Sequence, residues 1–381
     1  MRFGFGLKRG TLPLLAKFSQ INWTLVLLVS LIAGIGFAML YSAANGEYEP
    51  WALRQLARFG IGLVLMFAIA LVDVRQLLRS AYLIYGVALI LLISVEFLGT
   101  SGMGAQRWID LKIFKIQPSE VMKIALVLAL ARYFHGMSGE EVRRLPTLII
   151  PLVLLLIPSW LVIRQPDLGT ALLLIIVGGA IFFLAGVRLW VFGASLAFVL
   201  AAIPLAWHLL HDYQQQRVLT FINPERDPLG SGYHILQSKI ALGSGGLFGK
   251  GFLEGTQSHL NFLPEKQTDF IFTMLAEEFG LVGALALLGL YLITLAIGIA
   301  ISLRSTSQFG RLLGMGIMTT FFLYVFINIA MVTGLIPVVG IPLPLISYGG
   351  TAMLTILISF GLLISVNIHR DVMLPRRGGL L

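Results

Sequence analysis

Long apolar runs dominate this chain and constrain its fold more than any other feature. About ten windows of roughly 20 apolar residues recur along it, each long enough to cross the hydrocarbon core of a bilayer as a helix. Backbone groups in lipid must be satisfied within the segment, and uncharged runs of this length do so as helices rather than as barrel strands. The windows are Trp23–Tyr41, Leu53–Val72, Ala81–Leu98, Ser119–Phe134, Thr147–Ile163, Leu168–Gly186, Leu189–Leu209, Phe270–Leu303, Leu312–Thr333 and Thr351–Ile368.

Composition agrees with a membrane protein. Charged residues make up 12% of the 381 residues and the mean hydropathy is +0.91, whereas a soluble domain holds about 25% charged residues. The sequence therefore predicts an all-α, polytopic integral membrane protein with about ten transmembrane helices. A formal net charge of +9 would suggest nucleic acid in a soluble protein. Here the basic residues serve to orient the helices, and we expect no nucleic-acid partner.

The distribution of basic residues predicts an orientation. An even number of spans places both termini on one side, and with both in the cytoplasm fifteen of the 27 Lys and Arg fall on that side. Five of the other twelve lie in one long loop, to which the positive-inside rule applies poorly. We therefore predict N-in and C-in, with the long loop 210–268 outside, between helices seven and eight. Segments 99–118 and 334–350 are external as well.

The long external loop ends on a candidate functional acid. Within the loop, Tyr233, Leu236 and Ile240 are spaced as one face of a short amphipathic helix lying in the membrane interface. At its end, Thr268 is a candidate N-cap and Asp269 then falls in the first helical turn, where the helix dipole favours an anion. Position alone leaves both a stabilising role and a catalytic role open for Asp269.

A second group of polar residues stands at the start of the fourth span. Glu120 and Lys123 are three residues apart, so they share a helix face and can pair. The pair is either an ordinary intrahelical ion pair or part of a functional cavity. Charges within a span are costly and usually face an internal cavity, which favours function. Gln117 and Ser119 add hydrogen-bonding groups at the same end of this span.

A third acid lies in the external connection Gln165–Thr170. Asp167 there can cap the following helix or join a site. Because Asp269, Glu120 and Asp167 all fall on the external side, we predict that they converge on one cavity. Grouped carboxylates suit a general base or a Mg²⁺ or Mn²⁺ site. Which acid would hold the metal stays open, and no organic cofactor is expected.

For two further pairs of polar residues we favour structural roles. His208 and His211 share a helix face but have no obvious third ligand, which argues against zinc. Glu277 and Glu278 lie deeper in the helix that follows Asp269, and we expect them to satisfy neighbouring helices rather than to touch substrate.

Several ordered motifs follow one another along nearly the whole chain. They are Gly104–Trp108, Gln117–Glu120 with Lys123, Gln165–Thr170, Asp227–His234, Gly255–Ser258, Phe262–Phe272 and Pro342–Gly350. In this order they resemble the SEDS family of bacterial cell-wall polymerases, and their residues are closer to those of its elongation member than to those of its division member. The resemblance implies one transmembrane domain over residues 1–381, containing the loop 210–268.

The resemblance also implies an activity. Members polymerise lipid II into glycan strands at the outer face of the bacterial cytoplasmic (inner) membrane, with undecaprenyl pyrophosphate as leaving group and inversion at the sugar. The implied partners are lipid II, the nascent glycan strand, a class B penicillin-binding protein acting as transpeptidase, and the elongation machinery. Asp269 matches the essential acid of the family, and Glu120 with Lys123 matches its cavity ion pair.

These correspondences assign roles. Asp269 is the predicted general base on the acceptor hydroxyl. The predicted substrate-binding residues are the cations Arg107, Lys123, Lys239 and Lys266, with Gln117, Ser119, Glu120, Gln165, Asp167 and Ser347. The alternatives are a lipid II flippase, a division-type polymerase and a scaffold for the transpeptidase.

Overall fold

Helices make up most of the protein. The computed structural model describes residues 13–102, 105–110, 115–209, 215, 219–221, 223, 231–260, 262–263 and 265–375. The motif residues Gly104, Asp227–Gly230 and Pro264, and the candidate ligand His211, lie outside these ranges.

The helices follow one another along the chain with mostly short connections. They are α1 (Leu14–Ser19), α2 (Trp23–Ala43), α3 (Ala52–Ala70), α4 (Val74–Leu98), α5 (Pro118–His135), α6 (Gly139–Val142), α7 (Ile149–Arg164, preceded by a 3₁₀ turn at Leu145–Leu148), α8 (Leu168–Ala185), α9 (Leu189–Leu209), α10 (Ser231–Ser244), α11 (Thr256–His259), α12 (Ile271–Arg304), α13 (Gln308–Val332) and α14 (Gly350–Ile368).

Each of the ten predicted windows coincides with a helix. Among the described residues, eight helices are long and apolar enough to cross a membrane, and α9 adds the shorter apolar segment Leu189–Pro204. Helix α5 covers the remaining window and carries the charged residues Glu120, Lys123 and Arg132. The all-α, polytopic membrane architecture is confirmed. The number of spans and the N-in, C-in orientation stay predictions.

The core lies between α13, α14 and α5. Helices α13 and α14 are the most enclosed of the candidate spans. Close packing depends on glycines: Gly361 of α14 meets the backbone of Met66 on α3, and Gly316 of α13 meets Val127 of α5. Small residues allow helix backbones to approach closely where burial of apolar surface supplies little driving force. The polar ends of these helices are thereby brought together at one end of the bundle.

The connection between α4 and α5 contains a small antiparallel sheet, where the sequence indicated only an ordered polar segment. Its strands are β1 (Gly99–Gly102), β2 (Ala105–Asp110) and β3 (Lys115–Ile116), in the order β1-β2-β3. Gly99 lies opposite Ile109 and Ile109 lies opposite Ile116, with an irregularity between Thr100 and Ser101. Strand β2 places Arg107 next to the connection between α7 and α8.

Helix α12 is broken at Gly280, although the sequence indicated one continuous span. Gly280 has φ +66° and ψ −163°, which is not helical. A Cβ at this position would overlap the backbone of Leu247 and Gly249, so only glycine fits both the conformation and the space. The break separates a short segment, Ile271–Phe279, from the longer segment Leu281–Arg304.

The two segments of α12 run in opposite directions against α13. Before the break, Asp269 O accepts from Asn328. Four residues later, the Ser238 hydroxyl bonds to both Thr273 and Val332 O, so residue numbers rise along the short segment and along α13 in the same direction. After the break, Tyr291 packs on Phe321, Gly298 on Met318 and Ser302 on Gly314. Residue numbers therefore rise along the long segment while they fall along α13. The chain therefore changes direction at Gly280, and Asp269 lies beside Asn328, about one turn before the end of α13.

The predicted short helix in the long loop is present as α10. Its residues Ile235, Ser238 and Ala241 are buried against the rest of the protein. Leu236 and Ile240, two members of the predicted apolar stripe, are exposed on the other side. The helix thus packs by one face and leaves an apolar face uncovered, as expected for a helix in the membrane interface.

Candidate functional site

Asp269 lies in a turn, Glu265–Phe270, that precedes α12. The helix begins at Ile271, and its N-cap residue is Phe270, without a side-chain cap. The prediction that Thr268 caps the helix and that Asp269 occupies its first turn is wrong. The Thr268 hydroxyl instead donates to the main-chain oxygen and to the carboxylate of Glu265, at 3.3 and 3.0 Å. The polar groups of this segment therefore stabilise the turn itself.

Three donors from other parts of the chain hold this turn in place. The Ser347 hydroxyl donates to Thr268 O at 2.6 Å, and the Tyr348 N–H donates to Gln267 O at 2.8 Å. The Asn328 amide donates to Asp269 O at 3.0 Å and to Ile341 O at 2.8 Å. Buried main-chain carbonyls need such partners. The position of Asp269 is consequently fixed by α13 and by the segment before α14.

The Asp269 side chain lies over a glycine. Gly340 has φ +77°, and a Cβ at this position would be 3.4 Å from Asp269 Oδ2. One residue earlier, Val339 packs so closely on Gly169 of α8 that a Cβ there would overlap it. The segment Val339–Gly340 thus links the start of α8 to the Asp269 carboxylate.

Glu120 and Lys123 form the predicted ion pair. Their side chains are buried, at 6% and 5% exposure, and Lys123 Nζ lies 2.7 Å from Glu120 Oε1. The Tyr324 hydroxyl donates to both carboxylate oxygens at 2.9 and 2.8 Å, and Thr355 Oγ1 donates to Oε2 at 3.1 Å. Lys123 also donates to the Tyr324 hydroxyl. We call these four residues the Glu120 cluster.

Sequence reasoning missed Tyr324, Asn328 and Thr355. Each is a polar residue within an apolar span, which in membrane helices usually means a partner on another helix. Tyr324 and Asn328 are also four residues apart and share one face of α13. That spacing was visible in the sequence, but their partners on α5 and in the Asp269 turn were not.

Asp167 is the N-cap of α8, as one of its two predicted roles required. Its Oδ1 accepts from Thr170 N at 3.2 Å and its Oδ2 from Thr170 Oγ1 at 2.9 Å. Arg107 Nε lies 3.7 Å from Asp167 Oδ2, and its Nη2 donates to Pro166 O. Gln165 donates to Leu92 O at 3.0 Å. Arg107 and Gln165 therefore both fix the α7–α8 connection.

Two of the three predicted acids are held by neighbouring residues of α13. Glu120 accepts from Tyr324, and Asp269 O accepts from Asn328 one turn later. Asp167 caps α8, which packs on α13. Within the described ranges, however, no group of three His, Cys, Asp or Glu residues is placed to hold a metal ion. The predicted convergence of Asp269, Glu120 and Asp167 on one cavity stays a prediction. His208 is exposed on α9.

The other two predicted cations differ in exposure. Lys266 is buried and donates to Ser258 O at 2.9 Å. Burial disfavours the charged amine and lowers the pKa of Lys266 below its usual value. Lys239 is exposed on α10, and its side chain lies against Gly334 at the end of α13.

Three polar residues predicted to bind substrate occupy inward positions. Gln117 is the N-cap residue of α5 without a side-chain cap bond, and Ser119 is buried in the first turn of that helix. The Ser347 hydroxyl, besides donating to Thr268 O, accepts from Leu343 N at 2.7 Å. Ser347 therefore uses its hydrogen bonds within the protein.

Glu277 and Glu278 satisfy neighbouring groups, as expected. The Glu277 carboxylate accepts from Lys250 Nζ at 2.8 Å, from Gln257 N at 2.9 Å, and from Ser258 N and Oγ at 3.3 and 3.2 Å. Glu278 accepts from Ser42, and His259 Nε2 lies 3.2 Å from its carboxylate. The segment Gly255–Ser258 is thereby tied to the short segment of α12.

Comparisons with known proteins extend over nearly the whole chain. The model of the cell cycle protein family of FtsW, RodA and SpoVE matches residues 20–372. The peptidoglycan glycosyltransferase MrdB of Escherichia coli K12 is 45% identical over 349 residues, covering 91% of this chain and 94% of MrdB.

Solved structures show the same architecture. One, described as a peptidoglycan synthase complex coordinating polymerization and crosslinking, matches with a TM-score of 0.79 and 34% identity, covering 92% of this chain and 98% of the other. The crystal structure of the Thermus thermophilus rod shape determining protein RodA matches with a TM-score of 0.71 and 31% identity, covering 93% and 98%. The chain therefore belongs to the SEDS family of FtsW, RodA and SpoVE proteins.

Proposed function

We propose that this protein is a peptidoglycan glycosyltransferase of the elongation type, which polymerises lipid II and uses Asp269 as general base. The similarity to MrdB over most of both chains supports the activity, and the similarity to a rod shape determining protein supports elongation rather than division. The protein is a multi-pass bacterial membrane protein. Its place in the cytoplasmic (inner) membrane and the external position of the Asp269 end are parts of the proposal.

One observation carries the assignment of the base. Of the three predicted acids, Glu120 and Asp167 are buried beside Lys123 and Arg107, whereas Asp269 is only partly buried. A general base must come within hydrogen-bond distance of the proton that it removes. Asp269 is the acid of the three that a substrate at the rim of the bundle can reach.

The proposed reaction is the one that the resemblance to the family implies, with Asp269 as the base. The 4-hydroxyl of the acceptor N-acetylglucosamine attacks the anomeric carbon of the donor N-acetylmuramic acid, and its proton passes to a carboxylate oxygen of Asp269. The bond between the anomeric carbon and the pyrophosphate breaks, and its electron pair leaves with undecaprenyl pyrophosphate. Attack opposite the leaving group inverts the sugar from α to β. Positioned general bases contribute about 10² to 10⁴-fold to such steps.

The cations divide into two groups. Lys123 and Arg107 are held by Glu120 and Asp167, so they set the charge of the cavity walls. Lys239 is exposed near the rim and Lys266 lies in the turn that carries Asp269. We assign Lys239 to the charge that develops on the pyrophosphate, a role for which fixed positive groups are effective. Lys266 is buried and donates to Ser258 O, so it positions the turn instead.

A divalent cation fits this site only as a partner of the substrate. Mg²⁺ usually keeps several waters and binds through one or two carboxylates together with substrate phosphates. Asp269 would hold it here, and the cation would offset charge on the donor pyrophosphate.

We also propose that the protein works with a class B penicillin-binding protein and the elongation machinery. A related structure describes polymerization and crosslinking within one peptidoglycan synthase complex. Polymerisation and crosslinking must act on the same nascent strand, so a transpeptidase next to the polymerase is the partner that the chemistry requires.

The test is lipid II polymerisation by purified protein with its transpeptidase partner, with and without divalent metal. We expect Asp269→Asn to lose nearly all activity while folding normally. The matched control is Glu96→Gln, which alters a partly exposed acid 3.7 Å from Arg164 and should retain full activity.

Near-normal polymerisation by Asp269→Asn would refute the assignment of the base. Transfer of lipid II between leaflets without polymerisation would favour a flippase. Normal complex formation and growth with neither activity would favour a scaffold.

A further inference from the structure

An exposed apolar segment of the long loop lies beside the break in α12. In Gly246–Leu253 the side chains of Leu247 and Phe248 are 61% and 80% exposed. Phe252 and Leu253 are exposed as well. Such adjoining large apolar side chains are unfavourable in water and mark a surface that contacts something apolar.

Several polar groups of this segment are turned inward and paired. Lys250 donates to Glu277, and its main-chain N–H donates to Glu277 O at 3.1 Å. Gly251 N donates to Glu278 O at 3.0 Å. In the other direction, Leu281 N and Val282 N donate to Gly246 O and Leu247 O at 3.0 and 3.1 Å.

These main-chain hydrogen bonds lower the free-energy cost of placing the break and the segment in lipid. A break in a helix leaves carbonyls before it and N–H groups after it without partners, and each such group costs several kcal/mol in a bilayer. Here the loop supplies donors to Glu277 and Glu278 and acceptors to Leu281 and Val282.

The level of the segment coincides with the end of a spanning helix. Glu278, two residues before the break, accepts from Ser42 in the last turn of α2. Phe252 stacks on Tyr41, which packs on Tyr48. Aromatic residues concentrate at the boundary between lipid and water. The loop therefore lies at the depth where the bilayer on the Asp269 side begins.

The exposed surface of the segment also continues into a membrane-facing surface. Leu281, Val282 and Leu285, which follow the break on the long segment of α12, are all at least half exposed. Because Leu281–Arg304 belongs to a candidate span, these side chains face lipid. Phe252 packs on Phe279 at the break, so no polar strip separates the two surfaces.

We infer that Gly246–Leu253 is a membrane-inserted anchor, with Leu247 and Phe248 embedded in the leaflet on the Asp269 side. The partner is the lipid of that leaflet. Through Lys250 and Glu277 the anchor is joined to Gly255–Ser258, and Ser258 O accepts from Lys266 in the Asp269 turn. The anchor thereby fixes the height of Asp269 relative to the membrane.

The absence of cysteine from this chain permits a direct test with single introduced cysteines. Phe248→Cys and the control Glu254→Cys, an exposed acid in the same loop, are made in the full chain, labelled with an environment-sensitive fluorophore and reconstituted in phosphatidylethanolamine and phosphatidylglycerol vesicles. Lipids carrying a nitroxide on the acyl chain should quench the label at position 248 at least about threefold more strongly than at 254, since interfacial side chains sit about 5 to 10 Å into the acyl boundary.

Quenching at position 248 no stronger than at 254 would overturn the inference. Because Phe248→Cys can perturb folding, Leu247→Cys provides a second position with the same expectation, and thermal unfolding of each labelled protein checks its integrity. The readout is independent of polymerisation, so it stands or falls separately from the proposed activity.

Discussion

Tyr324 and Asn328 lie one turn apart on α13 and hold the two acids that matter most. The Tyr324 hydroxyl donates to the Glu120 carboxylate at 2.8 Å, and the Asn328 amide donates to the main-chain oxygen of Asp269 at 3.0 Å. One rigid helix thus sets the distance between the buried ion pair and the proposed base. Sites on regular helices are held more accurately than sites on loops.

Asn328→Leu should remove most of the polymerase activity without touching substrate. Its amide is the donor to both Asp269 O and Ile341 O, and loss of a buried partner costs about 1 to 3 kcal/mol. We expect a large fall in kcat and a lower Tm. Thr319→Ala on the same helix removes only a bond to Met315 O and should leave kcat unchanged. Full activity of Asn328→Leu would show that the turn is held without it.

The Glu120 cluster predicts an order of stabilities. Lys123→Met leaves the Glu120 charge buried without its cation and should cost about 3 to 5 kcal/mol. Combining it with Glu120→Gln removes the charge as well, so the double variant should be more stable than Lys123→Met alone. Thermal unfolding in nanodiscs measures the order. A double variant less stable than the single one would contradict the ion-pair interpretation.

Gly280→Ala should prevent correct folding. A methyl group there would overlap the backbone of Leu247 and Gly249, and φ is +66°. We expect destabilisation of about 1 to 3 kcal/mol from the backbone conformation alone, with the overlap adding to it. Gly289→Ala lies in the same helix with nothing within 4 Å of the added Cβ and should be neutral or slightly stabilising. Thermal unfolding and yield compare the two, and equal stability would mean that α12 tolerates a straight geometry.

Glu277→Gln tests the link between the anchor and the Asp269 turn. The carboxylate accepts five hydrogen bonds from Lys250 and residues 256–258, and an amide has only one accepting oxygen. Small misplacements far from the chemistry can cost about 10²-fold in rate, so kcat should fall more than KM rises. Glu254→Gln in the same loop is the matched control. An unchanged kcat for Glu277→Gln would remove it from the positioning network.

The lowered pKa of Lys266 predicts a pH dependence of stability. Burial penalises its charged form in the folded state, so at pH values below the lowered pKa the penalty is fully present. As pH rises through that pKa toward the ordinary lysine pKa of 10.5, the folded amine loses its proton before the unfolded one does, and stability rises. The Tm of the wild type relative to Lys266→Met should therefore increase with pH in this range. A difference in Tm that does not change with pH would mean that the Lys266 ammonium is solvated in the folded protein.

Some features could be predicted from the sequence because their causes are local. Length and hydropathy specify the spanning helices, since a helix in lipid satisfies its own backbone. The pairing of Glu120 with Lys123 and the capping of α8 by Asp167 depend on neighbours three residues away. The motifs of the long loop and of Pro342–Gly350 indicated the family, which the comparisons confirmed.

How these parts meet depends on contacts between segments that are distant in the sequence. Whether Thr268 caps a helix or stabilises a turn depends on where α12 begins, and that depends on the reversal at Gly280 and on the loop that satisfies it. The partners of Tyr324, Asn328 and Thr355 lie on other helices, so local periodicity could not reveal them. The apolar runs and the acid before the eighth span were enough to predict a membrane-spanning helical protein with a candidate functional acid. Long-range packing around α13 decided that this acid alone of the three reaches the rim, because the other two are enclosed with their cations.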